Sequence, residues 1–307
     1  RERSLNVGRV RSLTGLVTIL CRLRCELSSG DQMVIHAHLT DALYILGAFF
    51  RRSHHRLIYT EHNTHNRRRT YPFLRHVERW IYYAFESVVC ITGDVEGKLL
   101  AWLRSNHCVR LPESVVINNG ARSFAHVDRL TTRTKDVKLL SIGSLEHKKG
   151  FDIAVRSLAL LGDDVAEYTI LGEGSQRESL RQLAEKLGCS DKLKLPGFVQ
   201  DPSNYLHDAD VFLVPSRWEG FGLVAIEALS SGLPVVATNV EGLGAILSDC
   251  DNAKLVPPED ADAFAQSISN LILKAEGGEL CEARARHYSE RYSLEKMVSS
   301  YATLYKS

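Results

Sequence analysis

The sequence predicts an α/β fold with two parallel-sheet domains, because β-branched runs alternate with helical patterns twice along its 307 residues. Four such runs lie in the first half, at 33–38, 56–62, 88–92 and 115–118. Six more lie in the second half, at 138–143, 168–172, 193–196, 211–215, 234–238 and 254–256. A polar stretch without periodicity, 121–136, separates the two sets and is predicted to be a linker.

Strands that alternate with helices wind into parallel sheets, and two such units in one chain place a ligand-binding cleft between them. We therefore expect a first domain at 1–130 and a second at 131–291. A C-terminal helix at 292–307 is expected to pack back toward the first domain.

The helical patterns fall at 10–27, 40–51, 72–86 and 94–104 in the first half, and at 151–161, 176–187 and 221–231 in the second. The helix at 176–187 carries the clearest signals. Ser175 and Glu178 have the spacing of a capping box, and Gly188 supplies the stop.

Composition indicates an ordinary soluble globular protein, with 44% apolar and 24% charged residues. No stretch reaches the roughly 18 apolar residues that span a bilayer. The seven cysteines are odd in number, scattered and without a Cys-x-x-Cys pair. These features favour a reduced, cytoplasmic protein.

Charge is distributed unevenly along the chain. Residues 1–130 hold 19 Lys and Arg against 11 Asp and Glu, a net charge of +8, together with nine of the twelve histidines. Arginines cluster at 51–52 and 67–69. Such a face could attract anionic lipid, a polyphosphate or nucleic acid, and it could equally be ordinary solvated charge.

The segment 215–227 is the most informative for chemistry. A strand ends there, a glycine-containing turn follows, and a helix begins near Phe221. The first N–H groups of a helix bind anions, and glycines let a ligand approach closely. Glu219 stands in the turn and Glu227 lies deeper among apolar neighbours. The alternative is a capped helix with two solvated glutamates.

A second strand-to-helix junction lies at 140–150. Lys148 and Lys149 precede the helix start at Gly150. Lysines at this end are unfavourable for the helix dipole unless an anion is present, and a bound diphosphate would resolve that conflict. The alternative is a solvated turn.

Several motifs in a fixed order resemble retaining glycosyltransferases of family 4, which have the GT-B fold of two Rossmann-like domains facing a cleft. They are Gly-x-Leu and Lys-Gly within 143–150, Leu-Gly-Glu-Gly at 171–174, Pro-Gly-Phe-Val at 196–199, Asp-Val-Phe-Leu-Val-Pro-Ser at 210–216, Glu-Gly-Phe-Gly-Leu at 219–223 with Glu227, and Gly-Leu-Pro-Val-Val-Ala-Thr at 232–238. The resemblance covers about 30–307 and is strongest from 138 to 258.

The resemblance implies roles for individual residues. It assigns catalysis to Glu219, Lys149 and His38. It assigns donor binding to Gly143, Ser144, Lys148, Lys149, Gly197, Phe198, Val199, Glu219, Phe221, Gly222, Leu223 and Glu227. Within this set, Glu227 would bind the ribose and 197–199 would sit near the base. Segments 61–63 and 118–120 match parts that line the cleft. His38 could also be a purely structural strand-end histidine.

Three departures from the family pattern stand out. Ser144 replaces an arginine, and Ala245 stands where the family's later Gly-x-x-Glu motif has its glutamate. The family's first strand and its glycine-rich loop have no counterpart, so the first domain is expected to be incomplete. Either an N-terminal segment precedes residue 1 or the chain is a degenerate relative, and we favour the first.

Two motifs are expected to mislead. Gly172 and Gly174 imitate a dinucleotide fingerprint, but Arg177 replaces its third small residue. Asp208 and Asp210 imitate a metal-binding Asp-x-Asp, and we expect them to be structural. We predict no metal ion and no cofactor.

The resemblance implies transfer of a hexose from a UDP-linked donor to a glycan or lipid-linked acceptor in polysaccharide or lipopolysaccharide assembly. The basic first domain would contact an anionic membrane, and no nucleic acid is expected. An alternative is a non-catalytic subunit that binds a nucleotide sugar and needs a partner. A GT-B epimerase is a third possibility, which would need further acid–base carboxylates.

Overall fold

The computed structural model describes residues 30–51, 53–62, 69, 71, 74–104, 112–124, 136–276 and 282–307, together with positions 20, 21, 23 and 25. The chain divides into two compact units, residues 1–117 and 118–307. Each unit contains one parallel sheet, as the alternation of strands and helices predicts.

The sheet of the first unit has four strands in sequential order, all parallel. They are β1 (Val34–His38), β2 (Arg56–Glu61), β3 (Ser87–Cys90) and β4 (Glu113–Val116). The helices that connect them are α1 (Thr40–Phe49), α2 (Leu74–Tyr82) and α3 (Gly93–Arg104). Strand β3 is buried throughout, as expected for a parallel sheet covered on both faces.

These elements confirm the predicted order, with one shift. The last strand begins at Glu113, where it pairs with Ser87, and ends two residues before the predicted strand does. The helix predicted at 10–27 lies almost entirely outside the described residues.

The second unit has a six-stranded parallel sheet in the order β10-β9-β8-β5-β6-β7. Its strands are β5 (Val137–Ile142), β6 (Val165–Leu171), β7 (Leu193–Gly197), β8 (Val211–Val214), β9 (Val235–Thr238) and β10 (Ala253–Val256). Its helices are α4 (Phe151–Leu161), α5 (Arg177–Lys186), α6 (Ser203–Asp208), α7 (Leu223–Ser230), α8 (Glu241–Leu247), α9 (Ala261–Glu276), α10 (Glu282–Ser289) and α11 (Leu294–Lys306).

Strand order in this sheet reverses between β5 and β8, which pair through Leu139–Val211 and Leu140–Phe212. The chain first winds outward from β5 to β7 and then outward in the opposite direction from β8 to β10. Open parallel sheets bind ligands at the carboxyl ends of the strands that flank such a reversal. The fold therefore points to the loops that follow β5 and β8.

The helix starts differ from two of the predictions. Helix α5 begins at Arg177 without a side-chain cap, because Ser175 Oγ instead donates to Glu146 Oε2 at 3.0 Å. The predicted capping box is therefore wrong. Helix α7 begins at Leu223 rather than near Phe221, since Gly222 takes a left-handed φ of 90°.

The end of α5 is confirmed. Gly188 has φ 72°, and its N–H bonds to the Glu185 carbonyl at 3.1 Å. Within the described part of the chain, no helix is long and apolar enough to cross a bilayer. The packing of the C-terminal helix toward the first domain stays a prediction.

Candidate functional site

The two strand-to-helix junctions singled out in the sequence lie side by side at the strand-order reversal. One follows β5 and passes through a short 3₁₀ turn, His147–Lys149, into α4. The other follows β8 and enters α7. Residues about 70 positions apart in sequence are therefore neighbours at one edge of the sheet.

Arg217 joins these two loops. Its main-chain N–H donates to the Lys148 carbonyl at 2.9 Å, and its guanidinium donates to the His147 carbonyl at 2.9 Å. Gly150 completes the junction with φ 64°, where a Cβ would overlap the Pro215 carbonyl. Only glycine permits this close approach of the two main chains.

The guanidinium of Arg217 is itself fixed by two carboxylates. It donates to both oxygens of Asp152, at 2.7 and 2.8 Å, and approaches Glu259 at 2.6 Å. Although burial alone would raise the pKa of Asp152, the hydrogen bonds from Arg217 hold it below its usual value. Sequence reasoning missed Arg217, because nothing in its local pattern distinguishes it from a solvated arginine.

Lys149 and Glu219, both predicted to be catalytic, form an ion pair. Lys149 Nζ lies 2.5 Å from Glu219 Oε2, and both side chains are partly buried. Ser216 Oγ also donates to Glu219, at 3.3 Å. The aliphatic stem of Lys149 passes over Gly143, where a Cβ would lie 3.5 Å from Lys149 Cε. The site thus presents one cation and one carboxylate together.

The start of α7 lies next to this pair. Gly222 is its N-cap and makes no side-chain cap hydrogen bond. The first N–H groups of a helix have no carbonyl partner within the helix, so they are suited to bind an anion. Phe221 is buried and packs edge-to-face on Tyr292, with ring centroids 5.7 Å apart. Leu223 is the first residue of the helix.

Glu227, four residues further along α7, is partly buried. Burial raises the pKa of its carboxyl group, and a hydrogen bond from the main-chain N–H of Arg122 and the charge of Arg122 oppose that rise. A second hydrogen bond runs from the main-chain N–H of Phe124 to Ser230 Oγ, at 3.0 Å, and holds the segment that contains Arg122 against α7. Nothing in the local sequence pattern marks Arg122 for this contact.

The Gly197 turn exposes an aromatic side chain. Gly197 has φ 99°, and a Cβ there would lie 2.6 Å from Glu173 Oε1. Phe198 is 78% exposed and Val199 is half-buried. An exposed phenylalanine on a tight turn can stack on a planar ring. Ser144 and Lys148 are exposed on the loop after β5.

The two misleading motifs have structural explanations. Gly172 has φ 148° and lies against the Gly143 carbonyl, and Gly174 packs on the main chain of Leu145. These glycines let the loops after β5 and β6 cross.

The aspartates of the Asp-x-Asp motif contact Lys138. Asp208 pairs with Lys138 Nζ at 2.6 Å, and Asp210 accepts the Lys138 N–H at 2.8 Å. Their structural role is confirmed. Among the residues that the structure describes, no group of three or more His, Cys, Asp or Glu could hold a metal ion.

His38 belongs to the first unit, where it lies in a cluster of three histidines at the carboxyl ends of β1 and β2. His38 Nδ1 is 3.1 Å from His62 Nε2, and the rings of His36 and His38 are 4.2 Å apart. His36 Nε2 is in turn 2.7 Å from Thr60 Oγ1. The residue after His38, Leu39, has φ 70°, a conformation that costs a non-glycine residue about 1–3 kcal/mol.

The three histidines are neutral near pH 7. Burial, followed by the charges of His38 and His62, lowers the pKa of His36 to about 3. Burial, followed by the charge of His62, lowers the pKa of His38. Burial also lowers the pKa of His62. Each imidazole therefore has one N–H donor and one lone pair.

The same unit holds two buried carboxylates, one of which directly precedes His62. Glu61, at the end of β2, is 1% exposed and accepts from Tyr82 Oη at 2.8 Å and Arg69 at 2.9 Å. Glu78 is also 1% exposed, and the Arg69 guanidinium approaches it at 3.8 Å. Within this network the family resemblance singles out only Glu61, in the segment 61–63.

Comparison with known proteins agrees with this geometry. The sequence model described as Glycosyl transferases group 1 matches residues 124–288, more than half of the chain. The chain belongs to this family. It is a glycosyltransferase.

Two known proteins are similar in sequence to this chain. A Klebsiella pneumoniae protein described as an uncharacterized 41.2 kDa protein in the cps region is 26% identical over 97% of this chain and 85% of its own length. The lipopolysaccharide core biosynthesis glycosyltransferase LpsE of Rhizobium meliloti is 31% identical over 61% of this chain. That match spans only 54% of the Rhizobium protein.

Solved structures show the GT-B fold. Sucrose-phosphate synthase from Thermosynechococcus elongatus superposes with a TM-score of 0.79 and 20% identity, over all of this chain and 84% of its own. Anabaena Alr3699/HepE in complex with UDP superposes with a TM-score of 0.78 and 18% identity, over 95% of this chain and 81% of its own. The GT-B fold expected from the sequence is confirmed.

Proposed function

We propose that this glycosyltransferase is a retaining enzyme of family 4, acting in the cytoplasm without a metal ion. It moves a hexose from a UDP-linked donor to a glycan or lipid-linked acceptor in polysaccharide or lipopolysaccharide assembly. The observation that carries the proposal is the Lys149–Glu219 pair beside the start of α7, at the strand-order reversal of the second unit. Relatives named for lipopolysaccharide core synthesis and the cps region support the pathway class.

In this mechanism the bond from the anomeric carbon to the diphosphate breaks, a bond to the acceptor oxygen forms on the same face, and the acceptor's hydroxyl proton passes to the departing diphosphate. The departing diphosphate gathers negative charge. The Lys149 ammonium and the N–H groups that begin α7 stabilise that charge where it develops. Glu219 orients the sugar and favours positive charge at the anomeric carbon.

The nucleotide end of the donor extends along α7. Glu227 accepts hydrogen bonds from the ribose hydroxyls, and Phe198 on the Gly197 turn stacks on the base. A partly buried carboxylate in this position gains from a hydrogen-bonding ligand, because burial without partners is costly. HepE, which has the same fold, was solved with UDP and glucose, and this favours a uridine-linked hexose here.

The central experiment replaces Glu219 by alanine. We expect turnover to fall about 10²–10³-fold, the range for a lost electrostatic contact at a reacting centre. Glu178→Ala, an exposed glutamate on α5, is the control and should leave turnover unchanged. Full activity of Glu219→Ala would remove this residue from the mechanism.

Donor recognition is tested by titrating nucleoside diphosphates into the protein. UDP should bind most tightly, and Glu227→Ala should weaken UDP binding while leaving turnover at saturating donor less affected. An unaltered UDP affinity in this variant would refute the ribose role. Binding of a UDP-sugar without any transfer would favour the non-catalytic subunit instead.

Independence from metal is tested with a chelator. We expect turnover to be unchanged in excess EDTA. Loss of activity that Mg²⁺ or Mn²⁺ restores would overturn this part of the proposal.

We also propose that the first unit contacts an anionic membrane. Its aromatic–arginine surface (Phe49, Arg51, Val77 and Trp80) lies where α1 and α2 pack together. Phe49 is 58% and Trp80 46% exposed, and the Arg51 guanidinium lies 5.2 Å from the Trp80 ring. Exposed aromatic rings beside arginines suit a lipid headgroup region, where each cation is worth about 1 kcal/mol.

Vesicle sedimentation tests this surface. Binding to phosphatidylglycerol vesicles should weaken with salt and fall about 10-fold in the double variant Phe49→Ala, Trp80→Ala. Leu160→Ala, an equally exposed apolar residue of the second unit, is the control. Equal binding to neutral vesicles would count against the membrane contact.

A further inference from the structure

We propose that His62 is a positioning residue that fixes the ring orientation and the tautomer of His38. The inference rests on the proposed glycosyl transfer and on the role that the family resemblance assigns to His38, the histidine beside the reacting sugar. Neither the family resemblance nor the comparisons with known proteins give His62 this role.

The His38 ring is held from two sides. On one side its Nδ1 lies within hydrogen-bond distance of His62 Nε2, at 3.1 Å. On the other side the His36 ring packs at 4.2 Å, and His36 is itself anchored to Thr60 at 2.7 Å. The exposed His38 side chain therefore has a defined orientation, which a solvent-facing strand-end histidine would lack.

This contact also sets the chemistry of His38. Because Nδ1 is occupied by His62, Nε2 is the nitrogen through which His38 meets a ligand. A neutral pair shares one N–H between Nδ1 of His38 and Nε2 of His62. If His38 Nδ1 carries this proton, His38 Nε2 is an acceptor. If His62 Nε2 carries it, His38 Nε2 is a donor. His62 thus decides whether His38 offers a donor or an acceptor.

The main chain on both sides of this contact is constrained. After His38, Leu39 holds a left-handed φ of 70° that must be stabilised by its surroundings. Before His62, the Glu61 carboxylate is buried and bound by Tyr82 and Arg69. Buried charge pairs add little net stability but resist displacement, because removing one partner leaves an uncompensated charge. The strand ends are therefore fixed where the two histidines meet.

The decisive experiment compares variants of His62 in the full chain. His62→Ala should lower kcat about 10-fold and change the donor KM less than twofold, because positioning rather than binding is lost. His62→Gln, whose amide can replace Nε2, should recover most of kcat. His54→Ala, an exposed histidine of the same unit that packs on His55, is the matched control and should be unaffected.

A spectroscopic readout is independent of activity. Nitrogen-15 NMR of the imidazoles should show one tautomer of His38 in the parent protein and a mixture in His62→Ala. The double variant His38→Ala, His62→Ala should be no slower than His38→Ala alone, since residues that act as a unit are not additive. An unchanged His38 tautomer, or additive losses of kcat, would overturn the proposal.

Failure of the His62 proposal can be distinguished from failure of the proposed function. If His38→Ala retains full activity, the assigned role of His38 is wrong and the kinetic role of His62 falls with it. If the parent protein transfers no sugar at all, the proposed function fails, but the NMR comparison still decides whether His62 orients His38.

Discussion

The two units hold their candidate site residues by different means. In the first unit, buried or half-buried titratable side chains do so: Glu61 and Glu78 are 1% exposed, and His36 is half-buried. In the second unit, glycines bring main chains into contact, as at Gly150 against Pro215 and Gly172 against Gly143. The first arrangement depends on buried charge, whereas the second combines ion pairs, as at Arg217, with the absence of a Cβ at these glycines.

This difference has a consequence for mutation and for pH. A conservative change of the buried Glu61 should damage the first unit. A single added methyl group at Gly172 should damage the second unit. Tryptophan fluorescence can report on the first unit alone in a Trp218→Phe background, because the other two tryptophans, Trp80 and Trp102, both lie there.

The largest expected effect is in the first unit, for Glu61→Gln. The change removes the charge from the acceptor of two hydrogen bonds, from Tyr82 and Arg69, and should lower the free energy of unfolding by about 3–5 kcal/mol. Urea unfolding in the Trp218→Phe background measures it. Glu86→Gln is the control, because its pair with Arg56 is exposed and should cost under about 1 kcal/mol. Similar losses for both variants would contradict the contrast between buried and exposed pairs.

The second prediction concerns Gly172→Ala. At φ 148° a side chain is strained, and the new Cβ would overlap the Gly143 carbonyl. We expect a loss of at least about 3 kcal/mol for the second unit. Gly188→Ala separates the two causes, because Gly188 has φ 72° with open space around it and should lose only about 1 kcal/mol. Thermal unfolding followed by circular dichroism compares them, and equal losses would show that steric overlap is unimportant.

The third prediction is a pH dependence of the first unit. The folded-state pKa of His36 is about 3, below the ordinary value of 6.5, so the unfolded chain binds this proton first. Stability is fully present above pH 6.5 and is lost as pH falls toward 3, by about 1 kcal/mol per pH unit. His36→Gln should reduce this slope between pH 6 and 4, and the remaining slope should come from His38 and His62, whose pKa values burial also lowers. A variant with the parent slope would assign the acid sensitivity to other groups.

The smallest effect tests the corrected start of α5. A double-mutant cycle between Ser175→Ala and Glu146→Ala should give a coupling energy of about 0.5–1 kcal/mol. The corresponding cycle between Ser175 and Glu178 should give none. Coupling to Glu178 in place of Glu146 would restore the capping box that the sequence predicts.

Much of the fold and of the second unit's site could be predicted from the sequence. The alternation of β-branched runs with helical patterns predicted which segments form strands and which form helices, because side-chain periodicity is a local property. The motif order around Lys149 and Glu219 identified residues that the fold then places together. Gly188 was recognised as a helix stop from its position alone.

Only the tertiary structure decided which polar groups became partners. Ser175 binds Glu146 rather than capping its own helix, Arg217 ties the two loops together, and His62 meets His38. These contacts join residues 24 to 70 positions apart. Local pattern cannot specify them, because the order and register of the strands determine which loops become neighbours, and the free energy of burying charge then selects the pairs.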